Sequence, residues 1–541
     1  MTESPIAERI DAVLRVGPDA NAIEFDGRWY SWGDLAATVD AVRDAVREAG
    51  GEPGAGGEPG AGVEVGVLLR TRPGIVGAML GVLCAGGCVV SINPGRGAQR
   101  TREDVAGLDL GILIGSSDDL AALDFAYMNG ATRAVTIAVD DLGAPVAVIP
   151  PAGEATVPTL RPGIAVRMLT SGTTGPPKRI DLSYATLEHV LVGAKHYEKR
   201  GANGENPTPQ LRQGVALMNS PLTHLGGLFR VLLSVNDGRS FAMLERFDVD
   251  GWVDLVRRHR PATSTLVPTA LRMVLEANPD PADLSSLRSV VCGTAPLDPA
   301  DGDEFFARYG ARVLISYAAT EFGGPVAGWN MADHERFWDT KKGSVGRVQP
   351  GCDLRVVDPD SGEVLGIDAE GVLEVSAPQI RDQGYVRTTD LARIDADGFV
   401  YILGRSDHAI IRGGFKVLPD DVRAALERHE AVRAAAVFGR NDQRLGAVPV
   451  AVVELREAAS GVDAEDLIAF LEPRLARYEL PAEIHLVDAL PRTESGKANL
   501  AELIERFADP APESAAESAP EPASTGPSSP RPSPPSSRRD D

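Results

Sequence analysis

The sequence predicts an α/β protein: a large N-terminal unit holding parallel sheets and a β-rich subdivision, then a small α+β unit. Three observations carry this. Strand-length apolar segments alternate with helical patterns as far as residue 315, as parallel strands joined by crossover helices do. Beyond residue 343 the texture shortens to β segments between Gly/Asp turns. From residue 404 a second alternation of strands and helices begins, about 100 residues long and so of domain size.

The elements follow in order. Residues 22–25 and 29–31 make a hairpin with Asp26-Gly27 as its turn. Residues 34–48 place Leu35, Val39, Val42 and Val46 on one helical face. The run GGEPGAGGEPGAG at 50–62 is a flexible connector, and an apolar strand follows at 63–69. Residues 73–95 carry no charge and match a membrane span in length. Gly74, Gly77, Gly81, Gly86 and Gly87 interrupt them and Asn93-Pro94 closes them, so they read as a buried small-residue helix running into a strand at 89–92. Further strands are expected at 134–139, 163–169, 215–218, 263–266, 290–291 and 313–315, and β segments at 353–357, 371–375 and 398–403. The small unit reads as strand 410–417, helix 420–429, strands 434–438 and 448–453, and helix 464–475. Residues 509–541 are Pro, Ser, Ala and Glu with almost no large apolar side chain, and are expected to be disordered. The resulting division is 1–403, a hinge at 404–408, a mobile unit at 409–508 and the tail.

Composition sets the limits. At 541 residues, 43% hydrophobic and 24% charged, the chain has ample material for a core. A net charge of -23 argues against nucleic acid or an anionic membrane as the main partner, but not against a local anion site. Cys84, Cys88, Cys292 and Cys352 form neither a disulfide framework nor a zinc set, and the N-terminus lacks an apolar signal core. A reducing cytoplasm is the expected compartment. Only 7 of the 54 basic residues are lysine, so lysine positions are informative.

The sharpest local signal is the loop Thr170-Ser171-Gly172-Thr173-Thr174-Gly175-Pro176-Pro177-Lys178, after an apolar strand. Its two glycines let backbone N–H groups point inward, and its hydroxyls and lysine add donors, a set able to cradle a polyphosphate. It is not a Walker A loop, which needs Gly-x4-Gly-Lys-Ser/Thr. A surface turn of small polar residues is the alternative reading.

This loop resembles the phosphate loop of the adenylate-forming superfamily, which includes acyl-CoA synthetases, luciferases and peptide-synthetase adenylation domains. An ordered series strengthens the resemblance, which spans roughly residues 20 to 505. Tyr317-Ala318-Ala319-Thr320-Glu321 is similar to the family's Tyr-Gly-x-Thr-Glu, and Thr388-Thr389-Asp390 to its Thr-Gly-Asp. Gly404-Arg405-Ser406-Asp407 resembles the hinge, and Gly413-Gly414-Phe415-Lys416 the loop lining the pantetheine tunnel. Pro491-Arg492-Thr493-Glu494-Ser495-Gly496-Lys497 resembles the catalytic-lysine motif.

The resemblance implies a two-step reaction: a carboxylate attacks the α-phosphorus of ATP, releasing pyrophosphate, and a thiol then displaces AMP. Thr170, Ser171, Gly172, Thr173, Thr174, Gly175 and Lys178 are implied to hold the β- and γ-phosphates. Glu321 is implied to bind Mg2+, Thr320 the α-phosphate, and Tyr317 the adenine face beside Gly293-Thr294-Ala295-Pro296. Asp390 and Arg405 are implied on the ribose, Lys416 on the coenzyme A side, and Lys497 on the α-phosphate and the attacking carboxylate. His224, in Pro221-Leu222-Thr223-His224-Leu225-Gly226-Gly227, resembles the histidine lining and gating the acyl site; a satisfied core histidine is the alternative. Four positions depart from the pattern: Arg179, Tyr184, Ala318 and Thr389.

The function so implied is an ATP-dependent acid–CoA ligase for a fatty, aromatic or alicyclic acid, with ATP, Mg2+ and coenzyme A. The alternative is a stand-alone adenylation enzyme loading a carrier protein in trans. A non-catalytic nucleotide-binding protein is disfavoured because Lys497 and Glu321 are present. A dinucleotide-dependent dehydrogenase is disfavoured because no strand–Gly-x-Gly-x-x-Gly–helix unit appears.

Overall fold

A computed structural model of the chain describes residues 4–50, 62–96, 98–123, 134–151, 156–169, 178–194, 208–405, 410–412, 415–442, 445–456, 461–493 and 496–507. The connector 51–61 and the tail 509–541 lie outside the described residues.

The uncharged segment is a core helix. Pro73–Cys84 is buried at every residue and packs against Trp32–Ala49, the amphipathic helix of the first periodic pattern. Its glycines are required by that approach: a Cβ at Gly81 would lie 2.7 Å from Val42 Cβ and 2.9 Å from the Val39 carbonyl. Among the described residues no helix is long and apolar enough to cross a membrane.

Behind this helix pair runs a seven-stranded sheet in the order Ala147–Ile149, Val135–Ala138, Ile112–Gly115, Glu64–Leu68, Cys88–Ile92, Ile164–Leu169 and Arg179–Ser183. Its inner strands are parallel and its two edge strands antiparallel. The N-terminal hairpin forms as expected, with Asp26 (φ 50) and Gly27 (φ 75) both left-handed, as a two-residue hairpin turn requires. Its first strand, Asn21–Phe25, pairs in parallel with Arg239–Met243, which pairs with Arg212–Met218, so the hairpin completes a four-stranded sheet.

A third sheet carries the parallel strands Thr263–Leu266, Ser289–Gly293 and Arg312–Ala319, then the antiparallel Gly324–Gly328 and Arg347–Val348. The change of texture after residue 343 corresponds to an antiparallel sheet of Asp353–Val357, Gly371–Ser376, Val386–Ile394 and Val400–Arg405. The C-terminal unit has its own core under a mixed sheet of Ile410–Arg412, Phe415–Val417, Val432–Asp442, Gly446–Leu455 and Glu483–Val487. The segment expected as one strand at 410–417 is thus a pair of short antiparallel strands. The helices expected at 420–429 and 464–475 end earlier, as Pro419–Leu426 and Ala464–Leu471. The architecture is the expected one, a large α/β domain followed by a smaller α+β unit.

Candidate active site

A cavity of about 2190 Å³ opens between the large domain and the C-terminal unit. That is more than one drug-sized ligand needs, so a nucleotide and a second substrate fit together. It lies beyond the carboxyl ends of the parallel strands Ser289–Gly293 and Arg312–Ala319, where open α/β sheets bind ligands. His224, Gly293, Thr294, Ala295, Pro296, Tyr317, Thr320, Glu321, Asp390, Arg405 and Lys497 all line it.

The polar centre is held by register. Asp390 stands directly opposite Arg405 across two antiparallel strands, and its backbone N–H donates to Thr388 Oγ1 at 3.0 Å. The Tyr317 hydroxyl donates to Asp390 Oδ2 from the neighbouring sheet. Burial, reinforced by the Asp390 carboxylate, pushes the Tyr317 phenol well above its ordinary value, so it stays a neutral donor. Glu321 sits in the 3-10 turn Thr320–Phe322, exposed to the cavity, and no described residue holds its carboxylate by a hydrogen bond or salt bridge. An unengaged carboxylate beside an anion site suits a hard divalent cation. Gly293 accepts no side chain, since a Cβ there would lie 2.8 Å from the Ser316 carbonyl. Thr294, though β-branched, is held at φ 74. Backbone strain of this kind costs of order 1–3 kcal/mol and clusters at functional sites.

Lys497 reaches this centre from the C-terminal unit. Its turn is closed by Thr493 N–H donating to the Lys497 carbonyl at 2.7 Å and Gly496 N–H to Thr493 at 2.9 Å. The Gly496 carbonyl accepts from Thr269 Oγ1 at 3.2 Å and from Arg492 at 3.3 Å. Arg492 is itself fixed on the buried Glu454 at 3.2 Å. The Lys497 side chain keeps accessible surface because it faces the open cavity, yet protein surrounds it. That enclosure, with Arg405 nearby, lowers its pKa from 10.5, while Asp390 and Glu321 act in the opposite sense.

Other site residues divide. His224 is the N-cap residue of the helix Leu225–Asn236, and its side chain is not used for capping. Lys178 stands outside the cavity wall as the described residues define it, exposed immediately before strand Arg179–Ser183. Thr170, Ser171, Gly172, Thr173, Thr174 and Gly175 lie outside the described residues, as do Ser406, Asp407, Gly413, Gly414, Glu494 and Ser495. Lys416 pairs with Ile411 across the short hairpin.

The departures have structural reasons. Arg179 donates to the Ser91 carbonyl and to Asp104, both at 2.7 Å, tying the edge strand to its neighbours. The buried Tyr184 hydroxyl donates to the carbonyls of Gly87 at 2.7 Å and Leu83 at 3.1 Å, at the end of the core helix. Thr389 occupies an ordinary strand position with an exposed side chain, and Ala318 pairs with Pro325; neither has positive φ, so a Cβ is tolerated.

Sequence reasoning missed Glu454, Thr269 and Arg272. Arg272 joins Asp301 at 2.7 Å to Glu427 of the C-terminal unit at 3.3 Å. The only signal was for Glu454, a lone acid at the end of an apolar run.

Family models match along most of the chain: "AMP-binding enzyme" over residues 10–385 and "AMP-binding enzyme C-terminal domain" over 421–497. The chain belongs to the AMP-binding enzyme family. Indoleacetate–CoA ligase of Aromatoleum aromaticum is 29% identical over 520 residues, covering 91% of this chain and 96% of that protein. 4-Coumarate–CoA ligase 1 of Oryza sativa subsp. japonica is 30% identical over 62% of this chain; the match spans 61% of the rice protein's length. In fold, the chain is similar to ATP-bound MatB from Rhodopseudomonas palustris, with a TM-score of 0.77 at 24% identity, covering 94% of this chain and 99% of that one. The amide bond synthetase McbA from Marinactinospora thermotolerans has a TM-score of 0.75 at 25% identity, covering 93% and 100%.

Proposed function

We propose that this family member is an AMP-forming acid–CoA ligase. The observation that carries the reading is the presence of Lys497, from one unit, in the same cavity as Tyr317, Glu321, Asp390 and Arg405 from the other. The two CoA ligases among its relatives point the same way. A carboxylate oxygen of the acid attacks the α-phosphorus of ATP; the bond to the β-phosphate oxygen breaks and pyrophosphate leaves. Coenzyme A sulfur then attacks the acyl carbon, the thiol proton goes to solvent, and AMP leaves.

In this scheme Lys497 neutralises charge on the α-phosphate and orients the acid carboxylate, with Thr320 beside it. Asp390 and Arg405 bind the ribose hydroxyls, and Tyr317 lies along adenine against the 293–296 loop. The 170–175 loop and Lys178 take the outer phosphates. Glu321 would hold Mg2+, which when bound offsets the charge of the triphosphate. No protein nucleophile is needed, and burial pushes the nearby Cys292 thiol up to about 12. His224 borders the acid, and Lys416 with Gly413-Gly414 the pantetheine arm. The functional division is 1–403, 404–408 and 409–508; Gly404, at φ 141, adopts a backbone that favours glycine at the proposed hinge. None of the four cysteines is in a disulfide, which fits a cytoplasmic location.

Purified protein with Mg-ATP should release pyrophosphate only when a suitable carboxylic acid is added. Coenzyme A, a phosphopantetheinylated carrier protein and a simple amine, offered in parallel, identify the acceptor. No release by folded protein across a broad acid panel rules out the enzymatic reading.

A further inference from the structure

The proposed acyl side of the cavity contains a cation without a partner among the described residues. On the helix Leu225–Asn236, Leu225, Gly226, Phe229, Arg230 and Leu233 line the cavity, the spacing of one helical face. Arg230 is half-buried and lines the cavity. Among the described residues its guanidinium makes no hydrogen bond, salt bridge or ring contact. The one charge acting on it is Arg239, another cation. Glu245, the carboxylate on the same wall, is taken by Arg72 at 3.2 Å. A half-buried charge that faces a cavity without a protein counter-ion leaves its donors open to a ligand anion.

A second observation shows where that ligand would sit. Gly226, one turn before Arg230, is exposed on the cavity, and a Cβ built there meets nothing within 4 Å. Open space therefore lies beside the arginine on the same helical face. The rest of this face is apolar, from Leu225, Phe229 and Leu233. An apolar body ending in an anion matches it.

We infer that the acid this chain activates carries a second carboxylate, which pairs with Arg230 in the space left by Gly226, while the reacting carboxylate lies toward Lys497. Acid activation by this site is presupposed, and the substrate class is narrowed to dicarboxylic acids. A planar guanidinium binds a carboxylate through two parallel N–H···O bonds, giving direction as well as charge. A site built to pair a polar group rejects an analogue lacking it far more strongly than an apolar pocket rejects a missing methylene.

The test uses the full chain, Mg-ATP and pairs of acids that differ only in a terminal carboxylate or methyl: aliphatic pairs of four to eight carbons, and 4-carboxy- against 4-methyl-substituted benzoic and phenylacetic acids. Acid-dependent pyrophosphate release should favour the dicarboxylate of the best pair by about 100-fold in kcat/KM. Arg230→Leu should remove that preference and raise turnover of the methyl partner. Arg230→Lys should keep part of it, and Gly226→Leu should lower kcat/KM for the dicarboxylate. Melting curves with and without ATP check that each variant is folded. Wild-type preference for the methyl acids, or Arg230→Leu retaining the wild-type preference for the dicarboxylate, overturns the inference while acid activation stands. Release with no acid of either kind removes both.

Discussion

The two ends of the cavity are built on different principles. At the proposed nucleotide end most polar groups are engaged within the protein: Tyr317 with Asp390, Asp390 opposite Arg405, and the Lys497 turn with Thr269 and Arg492. At the proposed acyl end one helical face presents apolar side chains, a glycine whose Cβ position is open and a guanidinium with no partner among the described residues. A nucleotide is the same in every turnover, so its site can be pre-organised by cross-strand register. An acid pocket is defined by volume and by its few charges, so exchanging one residue can change the substrate.

The sharpest way to break the comparison is at the nucleotide end, where the largest effect is expected. Lys497→Ala should reduce acyl-adenylate formation about 10²–10³-fold, the usual scale for removing a group that stabilises developing charge. Thioester formation from supplied acyl-AMP should change little. Both half-reactions are read by quenched-flow product analysis, and equal loss in both would remove the assigned role. The same residue sets a pH dependence. Enclosure and Arg405 hold Lys497 below its ordinary 10.5, so it loses its proton at lower pH than an exposed lysine would. The step needing the cation is complete below that lowered pKa and declines as pH rises through it. The alkaline limb of kcat/KM for ATP, which reports the free enzyme, should lie below the range of an exposed lysine. Lys497→Arg, whose guanidinium does not titrate there, should move that limb out of range.

Smaller effects test how far the nucleotide end depends on its internal pairing. Tyr317→Phe keeps the ring but removes the donor to Asp390, a hydrogen bond to a charged group worth about 10-fold or more in affinity. The loss should fall on KM for ATP rather than on kcat. Arg272→Gln cuts the link between Asp301 and Glu427 across the two units, and should lower the adenylation rate a few-fold while leaving the thioester step unchanged. Loss in the thioester step instead would mean that the pair stabilises the other arrangement of the units.

The same contrast explains what was legible in the sequence. Tyr317, Glu321, Asp390, Arg405 and Lys497 stand in motifs that resemble the family's, and the fold brings all five to one cavity. The strands were legible because apolar runs between turn residues have few alternatives. The sequence does not separate the two short strands within Ile410–Val417, because Gly413-Gly414 reads as part of an apolar run as easily as a turn. Arg230 does not stand out in the sequence, since 47 arginines offer no contrast and a place on the cavity wall is a three-dimensional property. Glu454 acts through the Arg492 side chain and Thr269 through the Gly496 carbonyl, both far away in sequence, and pairings at that separation leave no periodicity.

The smallest effect on activity should come from a residue that looked like a defect in a site motif. Tyr184 departs from the family pattern near the phosphate loop, yet its hydroxyl points away from the chemistry, to the carbonyls of Gly87 and Leu83 where the core helix ends. The Leu83 carbonyl also accepts from the Gly86 N–H at 3.0 Å and Gly87 lies just beyond the helix, so the hydroxyl ties the buried turn that closes the core helix. Tyr184→Phe keeps the packed ring and removes only the donor, so it should cost about 1–2 kcal/mol of stability, measured by urea denaturation. Steady-state kinetics for ATP and acid should stay within about two-fold of wild type, a shift of less than ~0.5 kcal/mol. A larger kinetic change with unaltered stability would place Tyr184 in the nucleotide site after all, and the boundary between site and scaffold would then run on the far side of the core helix.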